Sequence, residues 1–149
     1  MRKRIAATPR QRRRRLGGGL YLAAPYNVAH LGEGHYGQIC VVAWIPWALL
    51  AYERFRQDPA GGLPRVSLVL ALSVLAGHVQ EAYYLAVLLT LFAVIDAAYR
   101  LRRRDWSAAA QFFGRWCCAG LLSGALVAVD FVPCLIYAKQ SLRNAGFQA

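Results

Sequence analysis

The chain has 149 residues, 58% of them hydrophobic, with a mean hydropathy of +0.31 and a formal net charge of +11. Soluble domains seldom combine so much apolar content with only 7 acidic residues. Long apolar runs flanked by arginine clusters are typical of a polytopic membrane protein, in which basic residues mark the cytoplasmic side. A nucleic-acid-binding protein would need a soluble, patterned core around its basic patch, and the sequence shows none, so nucleic acid is excluded as a partner.

The N-terminal segment, residues 1–19, is a basic arm that we expect to be disordered. Its first 15 residues, "MRKRIAATPRQRRRR", contain no acid. A signal peptide would continue with an apolar stretch of about seven residues or more, whereas a glycine-rich segment follows here. Two interpretations stay open: a cytoplasmic anchor that faces lipid, and upstream sequence included in a shortened gene product. The second is favoured, and residues 20–149 are assigned to a transmembrane helical region.

The first predicted transmembrane helix spans residues 39–52 and is preceded by "AHLGEGHYGQ". Two histidines and a glutamate in this stretch, His30, Glu33 and His35, could bind a divalent metal and leave coordination positions open. Their spacing matches no standard motif and the glycines indicate a turn, so a capped external turn is favoured and no metal site is assigned. Substrate contact, through His35 and Gln38, is the alternative, since functional polar residues gather on loops.

The longest apolar stretch, residues 66–99, is predicted to be a helical hairpin. As a single helix it would be about 50 Å long, more than the ~30 Å hydrocarbon core of a bilayer. Arg65 and the arginines at 100–104 flank its two ends. The positive-inside rule places both ends in the cytoplasm, which requires an even number of crossings. The first arm, residues 66–76, would be only about 17 Å long. We therefore expect the turn at "GHVQE" to dip into the membrane from the external side.

Polar side chains occupy that turn, at His78, Gln80 and Glu81. Ionisable residues at membrane depth are costly and are functional unless they are paired for structure. Gly77 supplies the backbone freedom that a helix break needs. Whether His78 and Gln80 contact a substrate or satisfy the turn itself stays open.

The last apolar segment, residues 108–136, is rich in small residues, which let helices approach closely in a bilayer. Within it, Asp130 is expected to pair with Lys139 or Arg143. Asp96, in the preceding helix, is expected to pair with Arg100 as an i,i+4 ion pair. In this topology the polar stretches 30–38, 77–81 and 130–143 all lie on the external side of the membrane. The four cysteines form no C-x-x-C spacing, which excludes the common zinc and redox motifs.

Three segments resemble the central part of the YfhO-type bacterial membrane proteins: "GEGHYGQICVVAWIPWALLAYERF", "LALSVLAGHVQEAYYLAVLLTLFAV" and "GALVAVDFVPCLIYAKQSLRNAG". The resemblance covers residues 32–146 and depends on the order of several short motifs. These are Gly34, His35 and Gln38; Trp44 with Pro46; Glu53 with Arg54; Gly77, His78 and Gln80; Ala128 with Pro133; and Ser141 with Arg143.

The resemblance implies an all-α, multi-pass protein of the bacterial inner membrane, related to GT-C glycosyltransferases. Its implied activity is transfer of a sugar from a polyprenyl-phosphate donor to a cell-envelope acceptor on the extracytoplasmic side. The implied substrate-binding residues are hydrogen-bond donors or phosphate partners: His35, Gln38, His78, Gln80 and Arg143.

The catalytic acid of GT-C enzymes lies in the first external loop, which would fall before residue 20, where this chain has its basic arm. The catalytic residue is therefore unassigned, a divalent metal is implied only for the full-length protein, and we expect this chain to be a fragment with about four transmembrane helices. Two other functions stay open. A re-entrant polar turn is also how transporters build binding sites, and a helix rich in small residues suits a non-catalytic membrane subunit.

Overall fold

A computed structural model of the chain describes residues 9–140, with side-chain surroundings for residues 15–138. Over this range the chain is helical, with no strands, which confirms the all-α prediction. The described helices are α1 (Pro9–Leu22), α2 (Pro25–Gly32), α3 (Tyr36–Gln57), α4 (Pro59–Leu75), α5 (Val79–Arg102) and α6 (Trp106–Gln140). They belong to two compact units that divide between Ile39 and Cys40. The predicted boundary after residue 19 stays a prediction.

The first unit contains α1 and α2. The backbone of residues 9–19 is helical, although the sequence suggested a disordered arm. The arginines of this segment explain the difference, because Arg is among the better helix formers. Residues 1–8 of the predicted arm lie outside the described residues. Helix α2 starts with Pro25 at its first position, where proline is favoured because the missing N–H has no intrahelical partner.

The second unit is built around one apolar cluster to which α3, α4, α5 and α6 all contribute. Phe55 and Phe112 are fully buried, with ring centroids 5.2 Å apart, and the Trp116 ring lies 5.7 Å from Phe55. Burying one phenylalanine contributes about 1.5–3 kcal/mol. The cluster consists of Ala48, Ala51, Tyr52, Phe55, Val66, Leu70, Leu85, Leu89, Ala93, Phe112, Trp116 and Ala119.

Helix α4 begins earlier than the sequence suggested. Residues 59–65, which lie before the predicted first arm of the hairpin at residues 66–76, form its first turns. Asp58 explains the start, because its carboxylate accepts hydrogen bonds from the backbone N–H groups of Ala60 (3.2 Å) and Gly61 (3.1 Å). The first arm of the hairpin is thus 17 residues long, or about 25 Å. An arm of this length nearly spans a ~30 Å hydrocarbon core, so it does not require the turn to dip into the membrane.

The predicted break at residues 77–81 lies within two residues of the observed one. Helix α4 ends at Leu75, Gly77 adopts φ +102°, and His78 is extended with φ −129° before α5 begins. Because α5 then packs against α4, the two helices form the predicted hairpin. At the other end of α5, Arg104 has φ +61°, and Asp105 accepts a hydrogen bond from the Ala108 N–H (3.0 Å) at the start of α6.

Among the described helices, two, α5 and α6, are long and apolar enough to cross a membrane. Helix α6 has 35 residues, or about 52 Å of length, so it exceeds a ~30 Å hydrocarbon core. Two of its small residues, Gly120 and Gly124, do not make the close helix contact that was predicted for them. A Cβ added to Gly120 or Gly124 would meet no atom within 4 Å. These two glycines therefore line open space and not a helix–helix contact.

Candidate functional site

The turn between α2 and α3 brings the predicted polar residues of the first unit together. Gly34 adopts φ +78°, which reverses the chain direction after α2. The His35 N–H donates to the His30 carbonyl (2.9 Å), and the Gly34 N–H donates to the Leu31 carbonyl (3.3 Å). This pair of hydrogen bonds defines a Schellman motif, in which His30 and His35 occupy the two positions that come into contact.

The side chains of His30, Glu33 and His35 cluster at this turn. Each residue offers one potential ligand atom, and the three atoms lie within 4.8 Å of one another. His35 Nδ1 lies 3.4 Å from a Glu33 carboxylate oxygen, and the two imidazole centroids are 5.7 Å apart. His30 is half-buried and the other two side chains are exposed. The turn was the favoured interpretation of these residues, and the structure adds that it groups a carboxylate and two imidazoles.

Gln38 lies in the first turn of α3, half-buried, and its backbone N–H donates to the His35 carbonyl (3.2 Å). It is therefore held by the same turn as His35. The structure thus places two of the predicted substrate-binding residues next to each other in the first unit.

His78 and Gln80 lie at the start of α5 in the second unit. His78 is half-buried at the position that precedes the helix, and its carbonyl accepts a hydrogen bond from Ala82 N–H (3.3 Å). Gln80 is exposed and its Nε2 donates to the Tyr84 hydroxyl (2.8 Å). The contact between Gln80 and Tyr84 is local to one helix turn, which favours a structural role for that amide.

The convergence of all three external stretches stays a prediction. His35 and Gln38 belong to one compact unit, and His78 and Gln80 belong to the other. Arg143 lies outside the described residues, as does the side chain of Lys139, so the expected pairing of Asp130 with either of them stays a prediction.

A polar network that the sequence analysis missed joins α3 to α5. The Tyr52 hydroxyl donates to Asp96 Oδ2 (2.7 Å), and an Arg56 guanidinium nitrogen lies 3.8 Å from Asp96 Oδ1. Arg56 also makes two hydrogen bonds, each of 3.0 Å, to the carboxylate of Glu53. Spacing could not identify these partners, because Tyr52 and Asp96 are 44 residues apart. The one feature of the sequence that pointed to such a network is Asp96 itself, an aspartate within an apolar helix that needs a polar partner.

The expected pair of Asp96 with Arg100 is replaced by this network. Arg100 instead donates to the Arg56 carbonyl (3.4 Å), and its guanidinium carbon lies 4.6 Å from the centroid of the Phe112 ring. The i,i+4 relation places Asp96 and Arg100 on one helix face, but the Asp96 carboxylate instead interacts with Tyr52 and Arg56 of α3. The hydrogen bond from Arg100 to the Arg56 carbonyl brings the basic ends of α3 and α5 side by side.

An apolar groove of about 470 Å³ lies between α4, α5 and α6. Small side chains of α6 form part of its wall. Trp116, which also belongs to the buried cluster, lines the groove and donates a hydrogen bond from its indole N–H to Thr90 Oγ1 (3.3 Å). Its lining residues are Leu70, Val74, Ala82, Ala86, Thr90, Trp116, Gly120, Ser123, Gly124, Val127, Ala128, Phe131 and Val132.

Comparisons with protein-family models, with curated proteins and with solved structures gave no significant match for this chain. The resemblance to YfhO-type proteins therefore depends on the short motifs alone, and it is taken further only as a proposal.

Proposed function

We propose that the chain is part of a multi-pass protein of the bacterial inner membrane, with α5 and α6 among its spans. The main support is exposure: only 22% of the most apolar 18-residue window of α5, and 17% of that of α6, is buried. A core helix of a soluble protein would bury most of such a window. Soluble monomers seldom expose contiguous apolar patches beyond a few hundred Å², whereas large apolar side chains are exposed along both helices.

The proposed topology includes α3 and α4 as further spans. With 22 residues, α3 is long enough, and α4, with 17, is at the lower limit for a transmembrane helix. The adjacent basic ends of α3 and α5, at Arg56 and Arg100, would face the cytoplasm. The turn at Gly77 would then face the external side.

A pair of lysine substitutions on α5 tests the membrane proposal. Leu91 is at the middle of α5 and 54% exposed, and Leu101 is near its end and 39% exposed. In a bilayer, Leu91→Lys costs about 2.5–3.5 kcal/mol of insertion free energy, and Leu101→Lys costs little because its ammonium reaches the interface. We expect the wild-type chain and Leu101→Lys to stay in the membrane pellet after alkaline carbonate extraction, and Leu91→Lys to be recovered there in lower yield than Leu101→Lys, because α5 inserts less efficiently. Equal recovery of the two variants in the supernatant would contradict the proposal, because both sites are exposed in a soluble fold.

For the activity, we propose that the full-length protein transfers a sugar from a polyprenyl-phosphate donor to a cell-envelope acceptor. The support is the order of motifs that resembles the YfhO-type proteins, together with the apolar groove, whose volume and apolar lining suit an isoprenoid tail. His35, Gln38, His78, Gln80 and Arg143 are the proposed contacts to the phosphate and the sugar. The small residues that line the groove equally suit a helix of another subunit, and a non-catalytic subunit is therefore the second candidate function.

Photo-crosslinking distinguishes these two functions. The purified chain in lipid nanodiscs is exposed to a photoreactive polyprenyl phosphate, and the crosslinked peptide is mapped by mass spectrometry. We expect labelling along the groove face of α6, and its reduction by Gly124→Leu, which fills the groove. Gly114→Leu is the matched control, because Gly114 is on the same helix outside the groove and has open space around it. Labelling that is insensitive to both variants would count against a tail site in the groove.

A further inference from the structure

We propose that the turn between α2 and α3 is a binding site for a divalent transition-metal ion, best matched by Zn²⁺. Its ligands are the imidazoles of His30 and His35 and the carboxylate of Glu33, which offer three atoms within 4.8 Å of one another. Two histidines with one carboxylate are a ligand set found in zinc enzymes and in non-haem iron sites. Imidazole ligands disfavour Mg²⁺ and Ca²⁺, which prefer oxygen.

The backbone of the turn accounts for this grouping. In a Schellman motif, the third residue before the helix end and the second residue after it come into contact, and both are usually apolar. Here those positions hold His30 and His35, and the residue at the helix end is Glu33. The motif requires the positive φ of Gly34, +78°. An ordinary helix end thus becomes a cluster of three metal-binding side chains.

The hydrogen bond that His30 makes through Nδ1 leaves its Nε2 available to bind a metal. Its Nδ1 lies 2.9 Å from the Tyr26 carbonyl oxygen, which can only accept a hydrogen bond. The proton is therefore on Nδ1, and Nε2 keeps its lone pair. A carbonyl that orients a histidine in this way is a recurring feature of metal sites. The Tyr26 ring also stacks on the His30 ring, with centroids 4.1 Å apart, which restricts its rotation.

The distances fit closure around an ion. Tetrahedral zinc bonds of 2.0–2.1 Å place neighbouring ligand atoms roughly 3.4 Å apart. The 3.4 Å separation of His35 Nδ1 and the Glu33 carboxylate oxygen already meets this value. The exposed side chains of Glu33 and His35 can adjust toward His30 without disturbing a core. Three protein ligands leave a fourth position for water or for an oxygen ligand, as in catalytic zinc sites.

Cobalt titration tests the site, since Co²⁺ replaces Zn²⁺ and its tetrahedral complexes absorb visible light. The full chain in detergent is titrated with Co²⁺ and then with Zn²⁺. We expect one equivalent of Co²⁺ to bind with tetrahedral d–d bands that Zn²⁺ abolishes. His30→Ala, Glu33→Gln and His35→Ala should each weaken binding at least roughly tenfold. Helix content by circular dichroism verifies that each variant is folded, and Glu33→Gln retains the shape of the side chain.

His78→Ala is the matched control, because His78 is the third histidine of the chain and lies in the other compact unit. It should bind Co²⁺ as the wild type does. Binding that survives His30→Ala, or a thiolate-to-cobalt charge-transfer band from a cysteine, would overturn the proposal. The site does not depend on the proposed membrane function. A failure here leaves the extraction result for Leu91→Lys unaffected, and the reverse also holds.

Discussion

Gly34 and Gly77 each end a helix with a φ in the left-handed region, +78° and +102°. At both positions a Cβ would meet no atom within 4 Å, so packing does not require glycine there. The backbone conformation alone does, because L-residues with a side chain are strained in this region. Single glycines thus determine where the chain reverses and which polar side chains each turn displays.

At the turn of the α4–α5 hairpin, we expect Gly77→Ala to lower the free energy of unfolding by about 1–2 kcal/mol, the cost of a left-handed conformation for an L-residue. Unfolding in a denaturing detergent titration measures this loss. Gly114→Ala is the control, because Gly114 is inside α6 with open space around it. That variant should be neutral or stabilising by up to about 1 kcal/mol, since alanine is the better helix former. Equal effects of the two variants would contradict the conformational argument.

The hydrogen bond of 2.7 Å between the Tyr52 hydroxyl and Asp96 joins α3 to α5, and we expect its removal to destabilise the fold. Asp96 is mostly shielded, with 22% of its side chain exposed, so its carboxylate depends on protein partners. Because the acceptor is charged, Tyr52→Phe should destabilise the fold by about 1.5–3 kcal/mol. A double-mutant cycle with Asp96→Asn checks that the loss arises from this contact, and Tyr137→Phe, at an exposed site, controls for removal of a hydroxyl. Additive effects of Tyr52→Phe and Asp96→Asn would show that the two side chains are not coupled.

At the scale of elements, the corner between α3 and α4 depends on close backbone approach. Asp58 starts α4 through its hydrogen bonds, and Gly62 lies against the backbone of Phe55. A Cβ on Gly62 would lie 2.4 Å from Phe55 Cα and 2.8 Å from Phe55 N. Since both atoms are backbone, the overlap is relieved only by moving one helix away from the other.

We therefore expect Gly62→Ala to cost about 1–3 kcal/mol of stability through overpacking, despite the higher helix propensity of alanine. Gly120→Ala, in an open part of α6, should show no such loss. Thermal or detergent unfolding of the two variants in parallel measures the difference. If Gly62→Ala is as stable as Gly120→Ala, the helices of this corner do not approach as closely as the structure indicates.

At the scale of the whole molecule, the arginines set the proposed orientation in the membrane. The basic ends of α3 and α5 are adjacent, with Arg100 hydrogen-bonded to the Arg56 carbonyl. Because these arginines cluster at one end of the second unit, the positive-inside rule predicts that this end faces the cytoplasm. The opposite end carries the turn at Gly77, where no arginine follows until the end of α5.

In a cysteine-free background, a cysteine at position 78 should react with a membrane-impermeant thiol reagent added from outside. Replacing the arginines at and just after the C-terminal end of α5 with glutamine should reduce this external labelling, because the orientation bias falls with the number of cytoplasmic charges. The substituted residues are Arg100, Arg102, Arg103 and Arg104. A second cysteine, at position 107, should be labelled only after the membrane is opened. Labelling of position 78 from the cytoplasmic side alone would contradict the topology.

Much of the fold was predictable from local pattern. Apolar runs, the break near Gly77 and the all-α class follow from hydropathy and glycine chemistry, which act over a few residues. The start of α4 was missed because prolines and glycines at residues 59–64 indicate a turn. Pro59 instead occupies the first position of the helix, where proline is tolerated. The candidate site was predictable to the same extent: His30, Glu33 and His35 are close in sequence, so a turn was sufficient to group them.

The sequence by itself determined that this chain is helical, apolar, basic at the ends of its helices and polar at its turns, because these properties depend on composition and on neighbours along the chain. The tertiary structure alone decided that Asp96 pairs with Tyr52 and not with Arg100, and that Gly120 and Gly124 line a groove and do not join helices. The physical reason is that such partners come from different helices. Helix packing brings together residues that are far apart in the sequence, and spacing within one helix does not specify which face meets which.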